Sequence, residues 1–128
     1  MSTTAVPAKA NVTANASASQ PLTWTPVCTI DDILPNTGVC ARVNGCHVAV
    51  FRVGLDQWFA IDNIDPKSQA SVLSRGLIGS LGERIVVASP LYKQHFDLRS
   101  GECLEAPEHS VRSHPVRIAA DRVLVGAR

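Results

Sequence analysis

An asparagine followed by glycine, set between two apolar-rich runs, leaves a chain few ways to fold. Asn44-Gly45 is the strongest short hairpin signal in the sequence. Its flanks, Gly38 to Val43 and Cys46 to Val53, read as the paired strands. A two-residue turn pairs Val43 with Cys46, and counting outward pairs Cys40 with Ala49. Side chains alternate faces along a strand. Cys46 therefore shares a face with Val39, Ala41, Val43, Val48 and Val50, while Cys40 shares the other with Arg42, His47 and Ala49. These two cysteines point to opposite sides of the sheet and neither bridge nor share a metal.

The rest of the chain continues in short strands. Thr23 to Thr29 is a first strand whose Pro26 favours an edge or a bulge. Asp31 to Leu34 is a single helical turn stopped by Pro35, and Gln57 to Ile61 follows a Gly-Leu-Asp turn to complete a three-stranded meander. Glu83 to Ala88 and Gln94 to Leu98 bracket a loop, with a turn over Arg99 to Glu102. Arg117 to Ala119 and Arg122 to Val125 close the chain as a hairpin over Ala120-Asp121. Ser71 to Gly79 breaks the rhythm and reads as a loop or a short helix. Many short strands with regular turn signals predict an all-β sandwich or small barrel. No internal repeat is visible.

Composition bounds the function. A chain of 128 residues is one domain. The formal net charge is +1 without a Lys/Arg run, which lacks the electrostatic footprint of a nucleic-acid binder. No apolar stretch approaches the roughly 20 residues that cross a bilayer, so a soluble protein without membrane contact is expected. Residues 1–22 differ from the remainder: Ala, Ser, Thr and Asn dominate, and Lys9 is the only charged side chain. Such a segment buries too little apolar surface to offset ordering entropy. It also lacks the arginines of a transit peptide and the apolar region of a secretory signal. A disordered tail over 1–22 and one domain over 23–128 are expected, and the Asn11-Val12-Thr13 and Asn15-Ala16-Ser17 glycosylation triplets carry little weight.

Few residues offer catalytic chemistry. Cys28 and Cys103 have no second thiol or imidazole at zinc-binding spacing, so all four cysteines read as small residues in a reducing cytosol. His109 and His114 fall in the polar Glu105-to-His114 segment, read as a surface loop, and are expected to be solvated. No nucleophile elbow is present, and Gly76-Leu77-Ile78-Gly79 is too short and apolar to cradle a phosphate. The neighbouring aspartates Asp31 and Asp32 read as turn caps.

Two stretches carry more. Asn63-Ile64-Asp65-Pro66-Lys67 and Ala88-Ser89-Pro90-Leu91-Tyr92-Lys93-Gln94-His95-Phe96-Asp97-Leu98 resemble the two metal-binding loops of a Rieske iron–sulfur domain. In that family the first loop carries Cys-x-His and the second Cys-Pro-x-His, two cysteines on one iron and two histidines on the other. The pattern places Asp65 and Lys67 at the first pair, Ser89 and Tyr92 at the second. Hard oxygens stand where thiolates are needed, and an ammonium and a phenol where imidazoles are needed. A zinc site rebuilt from His95 with Asp65, Ser89 or His47 is disfavoured, because all four original ligands are gone.

The match narrows further. Asp62 to Pro66, Ser71 to Gly76, Ala88 to Leu91 with Lys93-Gln94, Val27 to Pro35, Thr37 to Ala41 and Leu98 to Glu105 are similar to the small subunit of NAD(P)H-dependent assimilatory nitrite reductase. The resemblance runs from about residue 24 to 126. It implies a Rieske-like antiparallel β-sandwich with a small loop-bearing subdomain, in a cytoplasmic enzyme that reduces nitrite to ammonium. It implies a large catalytic subunit as partner, carrying FAD, sirohaem and a [4Fe–4S] cluster. This chain is then expected to hold no cofactor and no [2Fe–2S] centre, and to have a structural or regulatory role. Asp65, Lys67, Ser89, Tyr92 and Lys93 become the degenerate loop positions and the candidate partner surface. Two alternatives stay open: a [2Fe–2S] electron-transfer ferredoxin, and a free-standing β interaction module that binds another oxidoreductase or a small ligand.

Overall fold

The computed structural model describes residues 22–127. The expected tail over 1–22 lies outside them, but for Leu22. Ten strands run in chain order among the described residues: β1 (Thr23–Thr29), β2 (Thr37–Val43), β3 (Cys46–Val53), β4 (Gln57–Asp62), β5 (Leu77–Leu81), β6 (Arg84–Ala88), β7 (His95–Asp97), β8 (Ser113–His114), β9 (Val116–Ala119) and β10 (Arg122–Ala127). The helical pieces among the described residues are three-residue 3-10 turns. Three antiparallel sheets form, ordered β1-β10-β9, β2-β3-β4-β8 and β5-β6-β7.

The β2–β3 hairpin adopts the expected register. Val43 pairs with Cys46 and Cys40 with Ala49. Asn44 and Gly45 take φ of 50° and 79°, the doubly positive backbone that a tight hairpin demands. β3 explains the layering. Val48, Ala49, Val50 and Phe51 are all buried, which a strand covered on one face never shows. Val48 and Val50 join Val43, Ala60, Val123 and Val125 in one core, between the central sheet and β1-β10-β9. Ala49 and Phe51 join Ile61, Val87, Phe96 and Leu98 in a second core, against the β5-β6-β7 sheet. The loop-bearing sheet is thus a third layer packed on the sandwich.

Pro26 sits where expected. β1 is an edge strand and its register against β10 shifts between Pro26 and Cys28. Asp32 caps its turn, accepting hydrogen bonds from the Thr29 N–H at 2.8 Å and hydroxyl at 3.0 Å. Ser71 to Gly79 departs from the loop-or-helix expectation. It holds a 3-10 turn at Leu73–Arg75, but Leu77 then begins β5, paired with Ala88 of β6. Gly76 and Gly79 weaken the strand signal in the sequence, and cross-strand pairing supplies what local propensity lacks.

Gly101 closes the turn after β7. Its φ is +83°, and a Cβ there would lie 2.1 Å from the Val111 carbonyl oxygen. Gly45 has φ +79° with nothing within 4 Å of a Cβ. Gly101→Ala is expected to cost about 2–4 kcal/mol and Gly45→Ala about 1 kcal/mol. Thermal melts should place Gly101→Ala well below Gly45→Ala, by roughly 5–15 °C.

Candidate functional site: two loops joined by side chains

The first loop leaves β4 at Asp62, and Asn63 sets its path. Asn63 is fully buried, and each of its polar groups has a partner. Its N–H donates to the His47 carbonyl at 2.9 Å and its amide nitrogen to Ser71 Oγ at 2.7 Å. Its Oδ1 accepts from Ser74 N at 2.6 Å, and its carbonyl accepts from Val72 and Leu73 N–H groups. One residue, through both its backbone and its side chain, thereby ties β3, the loop and the following 3-10 turn together. Asp65 is also fully buried. Its N–H donates to the Ala70 carbonyl at 2.8 Å, and its Oδ1 accepts from Lys67 N at 2.8 Å, an Asx turn that holds the loop closed on itself.

The second loop leaves β6 after Ala88. Ser89 N donates to the Gln94 carbonyl at 2.9 Å and the Ser89 carbonyl accepts from Lys93 N at 2.9 Å. Lys93 turns the chain with φ of 57°. Two side-chain pairs join the loops. The buried Ser89 hydroxyl donates to Asp65 Oδ2 at 2.5 Å. Further out, the Lys67 ammonium lies 4.5 Å from the centroid of the Tyr92 ring. The four positions singled out in the sequence meet as an inner hydrogen bond and an outer cation–π pair. Lys93 sits exposed beside Tyr92, whose ring is half exposed.

Other expected residues lie elsewhere. His95 faces away, its Nδ1 2.5 Å from Glu105 Oε2, and His47 Nδ1 is 2.8 Å from Ser71 Oγ. Slight burial pushes the Glu105 carboxyl upward, but hydrogen bonds from the His95 N–H and imidazole outweigh it and hold the carboxyl below its ordinary value. The reading of His114 as solvated, within a surface loop from Glu105 to His114, needs correction. Ser113–His114 is strand β8 beside β4, and His114 Nε2 lies 2.8 Å from Asp62 Oδ1 with 11% of its side chain exposed. Arg112 Nε donates to Asp62 Oδ2 at 3.1 Å. Burial would raise the Asp62 carboxyl; the hydrogen bonds from His114 and Arg112 overcome that and lower it to about 2. This cluster borders an open cleft of about 620 Å³ that also meets Cys46, His47, Ile64 and Pro66 beside the first loop. No short-range pattern announces it, because its partners lie fifty residues apart.

Residues 23–126 match the Rieske-like [2Fe–2S] domain family. The chain is 53% identical over 96 residues to the nitrite reductase (NADH) small subunit of Salmonella typhimurium, which is 74% of this chain and 89% of that protein. The chain belongs to the Rieske-like nitrite reductase small subunits. The solution structure of the nitrite reductase [NAD(P)H] small subunit from Erwinia carotovora superposes with a TM-score of 0.72 and 48% identity, covering 82% of each chain. A further match reaches into a different kind of chain. The nitrite reductase [NAD(P)H] large subunit of Klebsiella oxytoca is 44% identical over 103 residues, 80% of this chain and 11% of that protein.

The family name raises the question of the iron–sulfur group. The small-subunit loops here do not fit it. Asp65 and Ser89 bond directly to one another, and both Asp65 oxygens already accept hydrogen bonds within the loops. The outer positions present a cation and a phenol ring in contact, where iron takes neutral imidazoles. The free cysteines Cys28, Cys40, Cys46 and Cys103 are placed on other elements. Burial raises the Cys28 and Cys103 thiols above their ordinary values, which disfavours the thiolate a metal requires.

Ser89→Ala strips a donor from a buried carboxylate and is expected to cost about 1.5–3 kcal/mol. Combined with Asp65→Asn, the two changes should be non-additive by about 1 kcal/mol or more in urea denaturation; strict additivity would mean that the pair does not join the loops. The pH dependence of Asp62 has a defined sign. Its carboxyl sits below its ordinary value of 3.8, so its contribution is complete above that value and is lost as pH falls through about 2. Melting curves between pH 5 and 2 should show the parent losing more stability than Asp62→Asn, by on the order of 1 kcal/mol after screening at this partly exposed site.

Proposed function

We propose that this chain is a subunit that supports a nitrite reductase by docking on its large subunit, without a redox centre of its own. The small subunits of nitrite reductase (NADH) and [NAD(P)H] that it resembles support placing it in an NAD(P)H-dependent oxidoreductase acting on nitrite, with ammonium as the product that the resemblance implies. The observation that carries the finer reading is the inner Ser89–Asp65 hydrogen bond at 2.5 Å, standing where the resemblance puts two thiolate ligands. A loop pair held by side chains keeps a fixed shape without metal, and a fixed shape reduces the ordering cost of binding. Tyr92 then offers an aromatic anchor of the type that interfaces favour, and Lys67 and Lys93 a polar rim beside it.

On this reading the electron-carrying groups, FAD, sirohaem and a [4Fe–4S] cluster, belong to the large subunit. This chain contributes by holding that subunit's redox domains in their working arrangement. The Klebsiella oxytoca relative supports the partnership, since a similar domain is there a covalent part of the large subunit. No helix among the described residues is long and apolar enough to cross a membrane. The free thiols fit a reducing cytosol.

Iron and acid-labile sulfide analysis of the anaerobically purified chain tests the first half of this proposal. A colourless, iron-free protein is expected; stoichiometric iron and sulfide with a Rieske-type spectrum would make it an electron carrier instead. The double substitution Tyr92→Ala/Lys93→Ala tests the second half. It should weaken binding to the large subunit about tenfold, near 1.4 kcal/mol, and lower nitrite-dependent NAD(P)H oxidation in step. Unchanged assembly would remove the loop tip from the interface.

A further inference from the structure

A second exposed surface lies on β5, the strand paired with the one that leads into the second loop. β5 is an edge strand, and its far side pairs with no strand among the described residues. Its sequence, Leu77-Ile78-Gly79-Ser80-Leu81, carries none of the charges, prolines or bulges that keep a free edge from pairing. Ile78 packs inward on the Phe51–Phe96 core, so alternation turns Leu77, Gly79 and Leu81 outward. Leu77 is 81% exposed and Leu81 45%. Leu77 pairs with Ala88, the last residue before the second loop, so the strip ends where the chain turns out toward the exposed Leu91 and Tyr92.

The same face carries charge at its margin. Arg84, opposite Leu81, pairs with Glu102 at 2.8 Å, and His95, opposite Ala88, pairs with Glu105. An apolar strip with an unpaired backbone edge and an ion-paired margin has the anatomy of an interface. A single exposed leucine is ordinary in water; a leucine on an unprotected edge strand beside an aromatic loop tip is a liability unless something covers it.

We infer that the outer face of β5, anchored by Leu77 beside the start of the second loop, is the surface that packs against the large subunit. This rests on the partner reading above. The occupant is chosen because the similar domain of Klebsiella oxytoca is part of a large-subunit chain, where that partner is always present. Leu34 and Leu55 provide the control. They are 69% and 65% exposed but lie at the opposite end of the central sheet, Leu55 in the turn that starts β4 and Leu34 beyond the start of β2.

Binding of the full-length chain to the purified large subunit should be measured for Leu77→Asp, Leu55→Asp and the parent. Thermal melts should be run alongside, and the free chain's mass followed by sedimentation. Leu77→Asp is expected to weaken binding at least tenfold with an unchanged melting temperature, and Leu55→Asp to bind as the parent does. Parent-like binding by Leu77→Asp overturns the β5 surface and leaves the partner reading standing. Failure of the parent itself to bind overturns the partner reading, and this surface with it. A parent dimer that dissociates on Leu77→Asp would assign the strip to a second copy of this chain and overturn the large-subunit assignment.

Discussion

A strand whose four central side chains are all buried must be covered on both faces, and β3 imposes that demand on the whole chain. Val48 and Val50 need one covering sheet, and Ala49 and Phe51 need another. The first comes from the two ends of the described chain, β1 and β10; the second comes from β5, β6 and β7. The loops that resemble metal loops are consequences of this layering. One follows the last strand of the central sheet's meander, and the other follows the middle strand of the sheet packed on it. They face each other because the sheets that carry them share a core containing Phe51, Ile61, Val87 and Phe96.

What joins the loops is modest in energy. A hydrogen bond to a charged group contributes about 1.5–3 kcal/mol, and an exposed cation–π pair about 0.5–1 kcal/mol. Neither would hold two floppy loops. Here each loop is first closed by its own backbone: the Asp65 turn on one side and the Ser89–Lys93 and Ser89–Gln94 hydrogen bonds on the other. Asn63 then fixes the first loop to β3 and to the 3-10 turn at once. The cross-loop pairs need only select the relative position of two already rigid pieces, a task within their strength.

The parts of this arrangement that sequence could reveal are those governed by short-range rules. Asn44-Gly45 set the register of β2 and β3 because turn length and strand alternation leave one solution. Pro26 announced its bulge, and the spacing of Asp65, Lys67, Ser89 and Tyr92 identified the cross-loop partners because the resemblance already paired those positions. β5 stayed hidden, since Gly79, the preceding Gly76 and the lack of alternation are indistinguishable from a loop until β6 is beside it. The Asp62–Arg112–His114 cluster was equally invisible, because a two-residue strand decides which residues reach Asp62. Asn63 was legible as part of a motif but not as its structural centre. That role depends on burial, which residue type alone does not disclose.

The edge pairing of β1 with β10 has a consequence beyond stability. Thr23 lies opposite Ala127, so the two ends of the folded unit leave it side by side. A domain whose entry and exit points coincide can be spliced into or onto another polypeptide without stretching either. Such a module can serve as a cassette: a similar domain makes up nearly all of the Salmonella typhimurium small subunit and about a tenth of the Klebsiella oxytoca large subunit. Once tethered, it meets its partner at an effective concentration set by the linker instead of by expression level. Subunit and fused domain are then two genetic solutions to one docking problem.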